Sequence, residues 1–138
     1  MRLTIEKVLI LKSCSMFSKI PEDSLAELAA ITEEVVTEAG ETIFSKGDLG
    51  KSMYIIVYGK VKVHDGDKTF AELGNRDIFG EMAILDAEVR SASITAIEET
   101  LMFRIDQDPF FELMSEHSIV TRGILQVLCA RLRKLQTN

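Results

Sequence analysis

The stretch 33–106 constrains the fold most, because short runs rich in β-branched and aromatic residues recur along it with glycines between them. The runs are 34–38, 41–44, 52–57, 60–64, 68–73, 91–96 and 101–106, and Gly40, Gly47, Gly50, Gly59, Gly66 and Gly74 punctuate them. Asp65-Gly66 between Val61-Lys62-Val63-His64 and Lys68-Thr69-Phe70 predicts a tight hairpin, since such turns need residues that accept positive φ. Short strands at this spacing, joined by turn chemistry, fold as an antiparallel sandwich, jelly roll or barrel.

Both flanks follow helical periodicity instead. In 1–32, Ile5, Val8, Leu9 and Lys12 recur at helical spacing until Ser13-Cys14-Ser15 interrupts them. A second helix is expected to open at Pro21, with Glu22 and Asp23 in its first turn and Leu25, Leu28, Ala29 and Ile31 or Thr32 as its buried stripe. In 108–138, Asp108 caps and Pro109 opens a helix that buries Phe110, Phe111, Leu113 and Met114. A break near His117-Ser118 then precedes a longer helix using Ile119, Val120, Ile124, Val127, Leu128, Leu132 and Leu135. With no linker composition and 138 residues, 1–138 reads as a single domain.

Charge narrows the partners. Sixteen Lys+Arg against 22 Asp+Glu leave a formal charge of −6, which repels a phosphate backbone, so no direct nucleic-acid binding is expected. No apolar stretch approaches the roughly 18 residues of a membrane span, and Arg2, Glu6 and Lys7 interrupt any leader-like core. No direct membrane insertion is therefore expected. Cys14 and Cys129 lack any ligand-like spacing and fit a reduced, cytoplasmic chain.

One segment breaks the strand rhythm. Phe79-Gly80-Glu81-Met82-Ala83-Ile84-Leu85 reads as a tight turn feeding one or two helical turns. Gly80 permits close backbone approach, and amides at a helix N-terminus receive anions. Arg90, returning after Asp86-Ala87-Glu88, can meet a phosphate in fork geometry. Glu81, acceptor-only when ionised, suits a sugar hydroxyl. Anion donor and hydroxyl acceptor on one turn describe a nucleotide monophosphate site.

These residues, 79–93 read together, resemble the phosphate-binding cassette of cyclic nucleotide-binding domains, the family found in bacterial catabolite activator proteins and protein kinase regulatory subunits. The resemblance extends to the glycine spacing and both helical flanks. It implies a mostly β fold: an antiparallel β-roll, jelly-roll-like or double-stranded β-helix, at 33–106. The cassette, 78–93, is its inserted helix, with N-terminal helices before the roll and two C-terminal helices after it. By that resemblance Arg90 binds the cyclic phosphate with the amides of Ala83, Ser91 and Ala92 and the Ser91 hydroxyl. Glu81 and the Gly80 amide hold the ribose 2′-OH. Val63, Ala71, Leu73 and Met82 pack on the purine, and Leu132, Leu135 and Gln136 of the terminal helix cover it.

The resemblance also implies a ligand, cAMP or cGMP, with no cofactor or metal. Ser91 stands where cGMP-preferring members often carry Thr, which favours cAMP. Val89 and Ser118 replace prolines frequent in the family. The expected output is non-enzymatic: a bacterial sensor signalling through its C-terminal helices to a larger effector, a membrane transporter or helical-repeat protein among the candidates. A homodimer through the terminal helix is a further expectation. Two other readings compete. A cupin-type metal enzyme needs several converging histidines, whereas only His64 and His117 are present. A ligand-free interaction scaffold of the same fold would not need both Glu81 and Arg90.

Overall fold

The computed structural model describes residues 3–136. Helix α1 (Thr4–Lys12) leads through a 3₁₀ turn at Ser15–Phe17 to α2 (Glu22–Ala30). Ten strands follow: β1 (Glu33–Thr37), β2 (Thr42–Phe44), β3 (Leu49–Gly50), β4 (Ser52–Tyr58), β5 (Val61–Asp65), β6 (Lys68–Leu73), β7 (Ile78–Phe79), β8 (Glu88–Val89), β9 (Ser93–Ala96) and β10 (Thr100–Asp106). A short helix, α3 (Glu81–Leu85), interrupts them between β7 and β8, and α4 (Gln107–Glu116) and α5 (Ser118–Gln136) close the chain.

The strands form two antiparallel four-stranded sheets, ordered β1-β10-β4-β7 and β2-β9-β5-β6, and a two-stranded ribbon, β3-β8. This is the mostly β architecture with helical flanks that the glycine-punctuated runs predict. Two compact units result among the described residues: Thr32–Gln107 carries the strands and α3, and 3–31 with 108–136 carries the flanking helices.

In the strand unit, Ile56, Val61, Phe79, Ile94 and Met102 form a buried cluster, against which Phe44, Tyr54, Val63 and Leu73 pack. At the β5–β6 hairpin Asp65 pairs with Lys68, so the two turn residues are Gly66-Asp67, one step past the expected Asp65-Gly66. Gly66 takes the first turn position with φ 58, where a tight hairpin needs positive φ.

The helical unit buries Leu11, Phe17, Leu25, Leu28, Phe110, Val120 and Ile124, among others, and the Phe17 and Phe110 rings meet at 6.2 Å. Gly123 lets α5 pass close to the chain before α2, since a Cβ there would lie 2.9 Å from Ile20 Cγ1 and 3.2 Å from the Lys19 carbonyl oxygen.

Several boundaries differ from expectation, each for a local reason. Helix α1 buries Val8, Ile10 and Leu11 and leaves Ile5 and Leu9 exposed. The sequence carries apolar residues on two faces of that helix, and packing selects the one the Ile5/Leu9 spacing does not mark. Pro21 caps α2 from extended backbone, its carbonyl accepting from the Ser24 and Leu25 amides, so the helix starts at Glu22. Helix α4 begins at Gln107, which places Asp108 inside its first turn instead of at the cap. Phe111 is 39% exposed, unlike its fully buried neighbour Phe110. Among the described residues no helix is long and apolar enough to cross a membrane.

Candidate anion site beside Gly80 and Arg90

Strand β7 pairs with β4 through Tyr54↔Phe79 and gives way to Gly80, whose φ of 74 turns the chain into α3. A Cβ at Gly80 would lie 2.7 Å from Arg90 Nη1 and 2.8 Å from the Ser52 carbonyl oxygen. Glycine is thus required twice, by the left-handed turn and by the arginine beside it. After α3 the chain is extended at Asp86 and pairs β8 with β3 through Leu49↔Val89 and Gly50↔Glu88. The ribbon delivers Arg90, whose amide donates to Asp48 O at 2.7 Å and whose carbonyl accepts from the Gly47 amide at 2.9 Å.

Arg90 is 8% exposed. Its Nη2 donates to Ser52 O at 2.8 Å, and its Cζ sits 4.1 Å from the centroid of the Phe44 ring. Gly50 leaves the room: a Cβ there would collide with the guanidinium Cζ and Nε. Burial lowers the Arg90 pKa, while Tyr54, Glu88 and Asp48 act in the opposite sense. Arginine stays charged through such shifts. Among the described residues, no carboxylate forms an ion pair with it. A buried cation without a counterion is costly unless an anion arrives to share the desolvated space.

The guanidinium opens onto a groove of about 180 Å³ lined by Phe44, Val63, Phe79, Gly80, Arg90, Ser91, Ala92 and their neighbours. Of the residues expected at a ligand, the structure therefore gathers Gly80, Arg90, Ser91, Ala92 and Val63 on one surface. Ser91 and Ala92 lie in the loop before β9, which starts at Ser93, two residues later than the 91–96 run predicts. Glu81 opens α3 beside Gly80 and is half-buried.

The remaining expected residues lie elsewhere. Ala83 is fully buried, and its amide donates to Gly80 O at 3.1 Å, so that amide is already engaged. Met82 is 49% exposed and lies outside the groove lining, because the single turn of α3 buries Ala83 and Ile84 instead. Leu73 packs against the core cluster, and Ala71, paired with Val63, is exposed on β6 beyond the lining. Leu132, Leu135 and Gln136 are exposed on the last turns of α5, in the helical unit. Because α3 spans five residues, its dipole is too small to serve as the anchor, and the charge of the site resides on Arg90.

Three residues around Arg90 were not marked by sequence reasoning: Phe44, Gly50 and Ser52. Gly50 was visible only as punctuation, and no spacing rule connects Phe44 or Ser52 to an arginine so far along the chain. The histidine of the strand unit is committed elsewhere. His64 Nδ1 bonds Gly66 O at 2.9 Å, and its Nε2 bonds Thr95 Oγ1 at 2.7 Å.

Comparison with known proteins bears on the family of the chain. The sequence model described as the cyclic nucleotide-binding domain matches residues 34–117. A CRP-like cAMP-activated global transcriptional regulator of Mycobacterium tuberculosis H37Rv is 31% identical over 134 residues, covering 94% of this chain and 60% of the relative. Human cGMP-dependent protein kinase 2 is 33% identical over 107 residues, 72% of this chain and 14% of the kinase. The chain thus spans less than two thirds of either relative. Among solved structures, the N-terminal domain of a transcriptional regulator from Streptomyces coelicolor A3(2) matches with a TM-score of 0.85 at 27% identity, covering 93% of both chains. The match to the sequence model takes in the whole 79–92 segment and reaches from β1 through α4, and on that extent the chain belongs to the cyclic nucleotide-binding domain family.

Proposed function

We propose that this cyclic nucleotide-binding regulatory domain takes cAMP in preference to cGMP and passes occupancy through α4 and α5 to a longer protein. The observation that carries the reading is Arg90, buried, positively charged and without an ion-pair partner among the described residues, at the wall of the groove. One negative phosphodiester supplies the missing counter-charge. In this assignment Arg90 binds the cyclic phosphate, with the Ser91 hydroxyl and the Ser91 and Ala92 amides beside it. The Ala83 amide joins only if it leaves Gly80 O. Glu81 accepts from the ribose 2′-OH next to the Gly80 amide, and Val63, which lines the groove, forms the face for the purine.

The preference for cAMP is supported by Ser91 and by the mycobacterial relative, whose name describes it as cAMP-activated. Transmission requires that the ligand bind one conformation better than another, since equal affinity for both shifts nothing. Leu132, Leu135 and Gln136 are the α5 side chains proposed to cover the base as the helices move. The role is regulatory, not catalytic, with no cofactor, in a reducing cytoplasmic setting that suits two cysteines, Cys14 and Cys129, not joined in a disulfide. The charge argument against nucleic acid concerns this domain alone. Two relatives are named transcriptional regulators, so a nucleic-acid output belongs among those open to a longer protein.

Titration calorimetry with cAMP, cGMP and 2′-deoxy-cAMP tests the assignment. Loss of a hydrogen bond to a charged acceptor is expected to weaken 2′-deoxy-cAMP by about 10–150-fold relative to cAMP, the equivalent of roughly 1.5–3 kcal/mol. Equal binding of those two ligands removes the ribose role of Glu81. Equal binding of cAMP and cGMP removes the preference only, and failure of both to bind removes the sensor reading.

A further inference from the structure

We propose that Phe44 is the positioning residue of this site: its aromatic face holds the Arg90 guanidinium ready for a phosphate, in the place where a buried arginine ordinarily has a carboxylate. The inference rests on the groove being a cyclic nucleotide site, as assigned above. An arginine this buried is normally paired with an acid. Here Nη2 has Ser52 O at 2.8 Å, Gly50 and Gly80 form side-chain-free walls, and the remaining support is the ring of Phe44 at 4.1 Å.

Phe44 is itself held in place. Its ring meets Phe79 edge-on at 5.8 Å and Tyr54 at 6.1 Å, while Tyr54 and Phe79 stack at 4.9 Å. Those two aromatics belong to the segments that bound the arginine on its other sides. Tyr54 follows Ser52 on β4, and Phe79 directly precedes Gly80. The aromatic cluster therefore ties the cation to the groove wall from β2, β4 and β7 together.

The chemical consequence concerns competition. A carboxylate partner would neutralise the guanidinium and occupy the donors a phosphate needs, so binding would begin with breaking an ion pair. A π face attracts the cation through its quadrupole without cancelling its charge. The positive charge then stays available to an incoming phosphodiester, and the planar guanidinium fits between two glycines where an ammonium on a flexible stem would not be held.

Calorimetry of the full chain with cAMP, using F44L, F44Y, R90A and F44L/R90A, tests the proposal. F44L keeps an apolar side chain but removes the ring and is expected to bind cAMP about 5- to 30-fold more weakly, the range that a cation–π contact of roughly 1–2 kcal/mol gives at about 1.4 kcal/mol per decade. F44Y is expected to stay within about threefold of the parent. The double variant separates positioning from general damage. If Phe44 acts through Arg90, F44L in the R90A background costs less than about twofold, a coupling that independent effects do not produce. Should F44L not fold, F44M is read in its place by the same criteria. Unchanged affinity in F44L, or an undiminished loss in the R90A background, overturns the role of Phe44. A parent chain that binds neither cAMP nor cGMP overturns the sensor reading instead, so the two failures are distinguishable.

Discussion

Replacing Arg90 with alanine is expected to weaken cAMP binding by about 10–150-fold, the equivalent of roughly 1.5–3 kcal/mol for hydrogen bonds to a charged group. The fold, by contrast, should survive the change. Arg90 is 8% exposed and forms no ion pair among the described residues, so its removal strands no buried carboxylate. The substitution deletes a desolvated charge, which favours the folded state, and loses the Ser52 O bond and the contact with Phe44, which disfavours it. These terms oppose one another, and a change in stability within about 1 kcal/mol is expected. That separation is the diagnostic. Calorimetric titration reads the affinity, and thermal unfolding without ligand reads the fold. Affinity unchanged within twofold refutes the phosphate assignment. A collapse of stability that accounts for the lost binding makes Arg90 a structural residue.

What was legible beforehand and what was not divides along sequence distance. Phe79-Gly80-Glu81 and Arg90 could be read because the turn, the short helix and the returning arginine are close in the chain and obey local chemistry. The hairpin at Gly66 was readable for the same reason, and its displacement by one residue shows that turn composition marks a place better than a register. Ribbon β3-β8 escaped notice because two residues carry no alternation, and each half becomes a strand only by pairing with the other across Leu49↔Val89. Phe44 and Gly50 escaped because their importance is created by Arg90, whose guanidinium occupies the space above one and beside the other. Helix α1 shows a different limit: with apolar residues on two faces, periodicity supports either, and only packing makes Val8, Ile10 and Leu11 the buried set. The purine contacts expected of Met82 and Leu73 rested on resemblance, and the local geometry of α3 and β6 places both outside the groove lining.

Gly80→Ala couples the fold to the site most directly. At φ 74 an alanine carries the left-handed penalty of about 1–2 kcal/mol. Its methyl would also sit 2.7 Å from Arg90 Nη1 and 2.8 Å from Ser52 O, distances at which something must move. Overpacking of this kind adds about 1–3 kcal/mol, so an overall loss of roughly 2–5 kcal/mol in folding stability is expected. Whichever neighbour yields, the site suffers. If the guanidinium yields, it leaves its seat against Phe44; if the Ser52 carbonyl yields, Arg90 loses its acceptor. A loss of cAMP affinity of at least about tenfold should accompany the loss of stability, the equivalent of roughly 1.4 kcal/mol. Gly66→Ala provides the control. That glycine also has positive φ, at 58, but no atom lies within 4 Å of the position its Cβ would occupy. It is expected to show the conformational penalty alone, about 1–2 kcal/mol, with cAMP affinity unchanged. Chemical denaturation and titration of both variants decide the matter: equal losses of stability and unaltered binding in both mean that Gly80 serves only its turn. A larger loss at Gly80 together with weakened binding means that the same missing methyl shapes the turn and seats the arginine.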